Sequence, residues 1–312
     1  MTSFKFSKFC ELKAGVCVMA LLAVLAVPTA RIFAAEIGAA EANSKAQVEQ
    51  SKQDMTTEKR KQTLSEAKEA IDDTVSALKS LDAKNSKEAL SALQNATGKL
   101  EIILARDPAL AFAPANVSAV TYDLLAGPED VKRLHDEVES LVNDGRLQEA
   151  RQIMGHLASE TDILTSSIPL ATYPPALKQA AKLIDAGKTE EAKTVLQTAL
   201  NTVVVSQTVM PLPIVRAQAM LKQAETLAEN KTRKPEQNKE LADLLSSAET
   251  QIKFAQELGY GDKPDFQLFY DEVSKIRANT GDGKSGVGFF EKIKGYMSSM
   301  TDQSQPKEAP RK

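Results

Sequence analysis

The sequence predicts an all-α protein made of four consecutive αα-hairpins that form a helical bundle, followed by a Gly-rich hinge and a short C-terminal amphipathic helix. Three observations support this fold class. Apolar residues recur at intervals of three and four from Gln62 almost to Leu258, the period of a helix with one buried face. Short turns containing Gly or Asn interrupt this pattern four times, and proline clusters separate the resulting units.

The second helix of each predicted hairpin opens with acidic and small residues directly after a turn. These helices begin within the segments 86–96, 146–158, 189–201 and 238–249, and the turns before them contain Asn85, Gly145, Gly187, and Asn230 with Pro235. The corresponding glutamates of the four units are unequally spaced along the chain, which disfavours a solenoid with a fixed repeat length.

Three proline-containing segments, 106–114, 168–175 and 210–213, lie between the hairpins. The third belongs to the stretch NTVVVSQTVMPLPIVRAQ (201–218), whose composition could suit a buried strand, a membrane-seeking segment or a helix elbow. Its apolar residues continue the helical period of the preceding segment up to Met210, and its prolines interrupt any long span. We therefore predict an elbow between the third and fourth hairpins, with no strand.

The N-terminal segment 1–35 has the features of a secretory signal peptide. Three lysines precede a short apolar run, and a cluster of alanines follows it, which favours cleavage over a retained anchor. Both cysteines, Cys10 and Cys17, fall inside this segment, so the processed protein is expected to have no disulfide. Removing four basic residues and one acidic residue changes the formal net charge from −3 to −6, which disfavours nucleic acid as a partner.

The rest of the chain divides by composition. Residues 36–61 are polar and only weakly periodic, and they are predicted to be a largely disordered linker with a helical end before the helical domain 62–280. The segment 281–300 contains the Gly-rich hinge and the C-terminal helix, whose apolar face is expected either to pack on the protein or to rest on an anionic membrane. Residues 301–312 are predicted to be a disordered tail.

No arrangement of residues in the sequence indicates catalysis. The string ANTGDGKS (278–285) fits a phosphate-binding loop only loosely, because helix-period sequence and not a strand precedes it. His135 and His156 flank the turn at Gly145, but two histidines make a weak metal site, and surface positions explain them better. We expect a protein that is not an enzyme and that has no cofactor and no metal.

Several strings resemble the YfdX family of bacterial exported proteins. They include TSSIPLATYPPALKQA (165–180) and LNTVVVSQTVMPLPIVRAQAMLKQAETLAE (200–229), and the likeness extends from about Lys61 to Met300. The resemblance implies an α-helical periplasmic protein that self-associates and is linked to acid, drug or general envelope stress. It implies no catalytic residues.

The functional hypothesis is therefore a non-enzymatic, periplasmic, chaperone-like stress protein. It is expected to form a homo-oligomer, to bind client proteins or small amphipathic molecules, and not to be an integral membrane protein once processed. The alternative is a small-ligand sensor or buffer that uses the Pro-rich helix junctions. The residues predicted to line the binding site come from those junctions: Tyr173, Pro174, Pro175, Met210, Pro211 and Pro213.

Overall fold

The structure is a computed structural model that describes residues 31–280, 288 and 290–305, with side chains from Ser44 onward. Most of the predicted signal peptide, residues 281–287 of the predicted hinge and residues 306–312 of the predicted tail lie outside the described residues. The chain divides into the units Met1–Gly38 and Ala39–Lys312, and the second unit contains all the elements discussed below except the first residues of α1.

The described residues form a mostly helical protein, and the four predicted αα-hairpins are confirmed. After α1 (Arg31–Lys61), the hairpins are α2–α3 (Ser65–Asp82, Ser86–Arg106), α4–α5 (Pro128–Asn143, Leu147–Met154), α6–α7 (Tyr173–Asp185, Thr189–Asn201) and α8–α9 (Leu212–Glu229, Pro235–Glu257). Two further helices follow, α10 (Lys263–Thr280) and α11 (Glu291–Gln303).

The first three hairpins share one turn geometry. The residue after the first helix's cap has a left-handed backbone: Lys84 with φ 59°, Gly145 with φ 75° and Gly187 with φ 74°. The next amide then donates to the carbonyl five residues earlier (Asn85 to Ser80, Arg146 to Leu141, Lys188 to Leu183, each 2.8 Å). Because glycine adopts positive φ without a side-chain clash, two of these turns could be located from sequence.

A three-stranded sheet, which the sequence analysis did not predict, connects the hairpins. Its strands are β1 (Phe112–Tyr122), β2 (Glu160–Pro169) and β3 (Val204–Pro211), in the order β1-β2-β3 with both pairs antiparallel. One αα-hairpin precedes β1, one lies in each crossover, and one follows β3. The sheet therefore consists of the segments that separate the hairpins.

The prediction of a helix elbow at 201–218 was wrong. Helix α7 ends at Asn201, and β3 begins at Val204 and pairs with β2 along its whole length, from Val204 opposite Ser167 to Pro211 opposite Glu160. The β-branched residues that were interpreted as buried helix positions instead favour an extended strand. The decisive interaction is pairing with β2, some forty residues earlier in the chain.

The prolines act at the ends of these strands. Pro169 and Pro211 are the last residues of β2 and β3, while Pro174 and Pro213 lie in the first turns of α6 and α8. Proline lacks the amide donor that a continuing strand needs, and its fixed φ suits the first turn of a helix. The proline segments 168–175 and 210–213 are therefore strand-to-helix junctions, and the segment 106–114 leads from α3 into β1.

Two main hydrophobic cores lie at opposite ends of the sheet. The first joins α2, α3, α6 and α7 to Ala113 of β1 and Ile168 near the end of β2. The second joins α8, α9, α10 and α11 to Val209 near the end of β3. The hairpin α4–α5 packs internally through a smaller cluster of Val138, Leu141 and Ala150. The hairpins α2–α3, α6–α7 and α8–α9 thus pack into two separate cores instead of one continuous bundle.

The segment 36–61, predicted as a largely disordered linker, lies in α1. Its composition is rich in Ala, Glu, Gln and Lys, all good helix formers, so low hydrophobicity did not prevent a helix. Val48 and Met55, two helical turns apart, pack against a small cluster of Met210, Leu212 and Val215. This contact supplies the tertiary support that a polar helix otherwise lacks.

The C-terminal helix packs on its own protein. Ile293, Met297 and Met300 are buried in the second core, and the Lys294 ammonium bonds Glu225 of α8 at 3.0 Å. The tail predicted as disordered from residue 301 is helical as far as Gln303, and Gln305 bonds the backbone of β3. The helix continues because the apolar face that began at Phe290 extends to Met300.

Candidate functional site

The predicted site residues around Tyr173 form part of the first core. Tyr173 has no solvent exposure and Pro174 is buried, while Pro175 is exposed on the first turn of α6. Tyr173 packs in the cluster formed by α2, α3, α6 and α7. These positions therefore anchor the start of α6 inside a packed core.

The predicted site residues Met210, Pro211 and Pro213 are buried at the other end of the sheet. Met210 lies opposite Thr161 at the start of β2, whereas Tyr173 follows Pro169 at its end. Ten residues of extended strand separate those ends by about 30 Å. The structure therefore does not bring the two predicted halves into one groove.

The outer edge of β3 is the clearest candidate for an interaction site. The Gln305 side chain accepts from the Val209 amide at 2.9 Å and donates to the Val209 carbonyl at 2.8 Å. Both backbone groups of Val209 therefore point away from β2. Because backbone direction alternates along an antiparallel strand, those of Gln207 and Val205 point the same way.

The edge beyond the Gln305 contact is open. In the part of the chain that the structure describes, the outward backbone groups of Val205 and Gln207 have no hydrogen-bond partner. The side chains here are also exposed, with Val204 at 43% and Val205 at 58% of full exposure. An unpaired strand edge flanked by exposed valines is a template for another extended chain.

The opposite edge of the sheet is partly covered. The Leu64 amide donates to the Pro114 carbonyl of β1 at 2.8 Å, before the bulge between Pro114 and Asn116. Past the bulge, Val120 and Tyr122 are exposed. The Pro114 carbonyl is therefore occupied by its own chain, and exposed apolar surface lies at both ends of β1, at Phe112 and at Val120 and Tyr122.

A polar cluster lies where β2 begins. The Ser159 amide donates to the Tyr260 hydroxyl at 3.0 Å, and the Ser159 hydroxyl donates to Asp123 at 3.3 Å. Asp123 also pairs with Arg216 of α8 at 2.7 Å. These bonds connect the end of β1, the start of β2 and α8, so they hold the sheet against the second core.

Two carboxylates in this cluster, Glu160 and Asp162, are neighbours on one face of β2. Burial raises the pKa of Glu160, a hydrogen bond from Tyr260 opposes that rise, and the nearby Asp162 adds to it. Burial likewise raises the pKa of the Tyr260 hydroxyl, and the neighbouring Glu160 adds to it. The folded protein therefore favours the protonated form of Glu160 more than the unfolded chain does.

We expect Glu160→Gln to reduce the pH dependence of stability. Because the folded-state pKa of Glu160 is raised, its favourable contribution is complete below the unfolded pKa and is lost as pH rises through the folded pKa. Urea unfolding from acid to neutral pH should show a smaller loss of unfolding free energy in the variant. Glu240→Gln, on the exposed face of α9, is the control. Equal pH slopes in wild type and Glu160→Gln would contradict this prediction.

The remaining chemical candidates do not form a site. His135 on α4 and His156 after α5 lie on separate elements, and His156 is exposed. Of the string 278–285, Ala278 to Thr280 end α10, and the other positions lie outside the described residues. No helix in the described residues is long and apolar enough to cross a membrane.

Comparison with known families then identifies part of the chain. A family model described as YfdX protein matches residues 70–209, from α2 to the end of β3. Residues 70–209 are therefore similar to the YfdX family, and we call them the YfdX segment. This confirms the resemblance expected from the sequence, over a shorter range. The YfdX segment includes the first three hairpins, the sheet almost to its end and the open part of the β3 edge, while α1 and α8–α11 lie outside it.

Among solved structures, the chain is similar to one described as Salmonella Typhi YfdX. The sequences are 14% identical, the similarity covers 48% of this chain and 93% of that chain, and the TM-score is 0.34. No curated protein matches the chain.

Proposed function

We propose that this protein is an exported, periplasmic, non-enzymatic interaction protein of the YfdX type that acts in envelope stress by binding extended segments of client proteins. The observation that carries the proposal is the open outer edge of β3 at Val205 and Gln207. The YfdX segment over residues 70–209 supports the family-level part of the proposal.

A strand edge selects its partner by backbone chemistry. Outward amide and carbonyl groups of Val205 and Gln207 match the alternating groups of any extended polypeptide, and such pairing is independent of the client's sequence. The exposed Val204 and Val205 side chains add apolar contact on both faces of the added strand. Stress-unfolded proteins present this combination of extended backbone and apolar side chains.

The same edge supports the expected homo-oligomer. A second copy of the chain offers an identical open strand, and two such edges pair by one twofold rotation. Self-association and client binding would then compete for the backbone groups of Val205 and Gln207. The homo-oligomer would keep this edge covered, and dissociation would make it available to clients.

The alternative of a small-ligand sensor at the Pro-rich junctions has less support. Tyr173 and Met210 are buried in separate clusters at opposite ends of β2. A ligand site built from both would require the sheet to rearrange.

The edge proposal is tested by Gln207→Pro with Ser206→Pro as the matched control. Because the Gln207 amide points outward, proline there removes only the donor offered to a client, and the sheet keeps its ladder. Proline at Ser206, whose amide faces β2, removes a hydrogen bond of the ladder and should destabilise the fold by about 1–3 kcal/mol. In thermal unfolding, Ser206→Pro should therefore have a lower midpoint than Gln207→Pro.

The functional measurement is aggregation of heat- or acid-stressed client proteins at equimolar ratio. Wild type should suppress aggregation, and Gln207→Pro and Val205→Lys should lose most of that effect while staying folded. Val142→Lys, at a valine 45% exposed on α4, should retain it. Absence of suppression by wild type would sink the client-binding proposal, and full suppression by both edge variants would exclude β3 as the binding edge.

A further inference from the structure

A groove lies between α8 and α11, apart from the sheet. It has a volume of about 330 Å³, and its apolar floor is formed by Leu221 of α8 with Phe290, Ile293 and Met297. These four side chains belong to the second core and are nearly fully buried. The two helices are in contact but leave an open seam above this floor. The volume falls at the lower end of the range for small-molecule sites.

Charged side chains line the rim of the groove, and they differ in whether they already form an ion pair within the protein. Lys294 lies between Glu225 and Glu291, at 3.0 and 2.9 Å, so its charge is already balanced by carboxylates. Glu225 is in turn neutralised by Lys294. Lys222, one helical turn before Glu225, makes no ion pair within the described residues. The formal charges of these two lysines and two glutamates cancel, so among the described lining residues the Lys222 ammonium is the charged group that remains available to a ligand.

We propose that this groove binds a small amphipathic anion, with its apolar tail on the Leu221–Met297 floor and its anionic head group at the Lys222 ammonium. The floor removes apolar surface of the ligand from water, and Lys222 gains the partner that the fold does not provide. A cation with the same tail would be repelled by the Lys222 ammonium, and an uncharged molecule would leave Lys222 without an ionic partner.

This site is independent of the proposed client edge. The groove is built from residues between Gln218 and Ser298, beyond the YfdX segment, whereas the open strand edge lies at Val205 and Gln207. Variants of the groove should therefore leave aggregation suppression unchanged. A failure of one proposal is thus distinguishable from a failure of the other.

The test is calorimetric titration of the full chain with decanoate, decanol and decyltrimethylammonium, below the concentrations at which they form micelles. Decanoate should bind at one saturable site and more tightly than the other two. Lys222→Gln should weaken decanoate about three- to tenfold and leave decanol unchanged, because one partly exposed charge contact is removed. Lys231→Gln, an exposed lysine after α8, should leave both affinities unchanged.

A second variant locates the apolar part of the site. Ser298→Phe places a ring over the groove from its exposed rim and should block decanoate and decanol alike. Circular dichroism and thermal unfolding establish that each variant is folded. The proposal is overturned if decanoate shows no saturable binding, if the cationic analogue binds equally well, or if either Lys222→Gln or Ser298→Phe binds decanoate as wild type does.

Discussion

Replacing Arg233 by Ala is expected to lower the free energy of unfolding by about 2–4 kcal/mol, because several helix-end carbonyls lose a charged donor. One guanidinium nitrogen donates to the carbonyls of Leu227, Ala228 and Asn230 at 2.9, 2.6 and 3.2 Å, and the other donates to the Thr280 carbonyl at 3.0 Å. Arg233 therefore satisfies the C-terminal ends of α8 and α10 together.

Chemical denaturation of two companion variants tests that explanation. Arg233→Lys should recover only part of the lost stability, since a single ammonium cannot reproduce the planar fork that reaches two helix ends. Lys231→Ala, in the same turn and exposed, should stay within about 0.5 kcal/mol of wild type. If Arg233→Ala were as stable as Lys231→Ala, these carbonyls would not depend on Arg233 as their hydrogen-bond donor, and the explanation would be wrong.

Tyr173→Ala is expected to cost about 3–5 kcal/mol, the cost of removing a large ring from a closed core. The side chain has no solvent exposure and packs among α2, α3, α6 and α7 at the first turn of α6. The loss should appear as a lower urea midpoint with an unchanged denaturant dependence.

Tyr173→Phe separates a packing role from a ligand-binding role. The Tyr173 hydroxyl is buried, and within the described residues it makes no hydrogen bond of normal geometry, although the Thr74 hydroxyl lies close enough to oppose the effect of burial on its pKa. Burial also raises the pKa of this phenol, so it stays uncharged at physiological pH. The Phe variant should therefore match wild type within about 1 kcal/mol. A ligand titration abolished by Tyr173→Phe without loss of stability would instead support the junction-sensor alternative.

The helical part of the fold was predictable because its signals are local. Gly145 and Gly187 mark turns that need positive φ, and apolar residues repeat with the helical period on both sides of each turn. Asn85 likewise caps α3 by accepting from the Glu88 amide at 3.3 Å. Each of these features is contained within a few residues, so a single sequence is sufficient to locate it.

The sheet was not predictable by the same means. β1, β2 and β3 each follow a segment with helical period, and β3 shares its apolar spacing with the end of α7 up to Met210. What distinguishes a strand here is its partner, and the partners are separated by whole hairpins. An edge strand that is exposed on both faces shows little alternation of apolar and polar residues. The segment from Val204 to Gln207 therefore has no clear strand pattern in the sequence.

The structure separates the two halves of the predicted site for a related reason. Tyr173 and Met210 both lie beside prolines in family-specific strings, which suggested one groove between hairpins. Strand register instead places them at opposite ends of β2. The open edge and the α8–α11 groove had no counterpart in sequence, because each depends on residues brought together from distant segments: Gln305 beside Val209, and Lys294 beside Glu225.

The sequence by itself determined the helices, the four hairpins, the turns between them and the family resemblance, since these follow from short-range period, capping and backbone preference. The tertiary structure decided that the proline segments become strands, that α1 and α11 have surfaces to pack on, and which edge and groove remain open. Those outcomes depend on hydrogen-bond partners and buried contacts far apart in the chain, and local residue patterns do not encode that information.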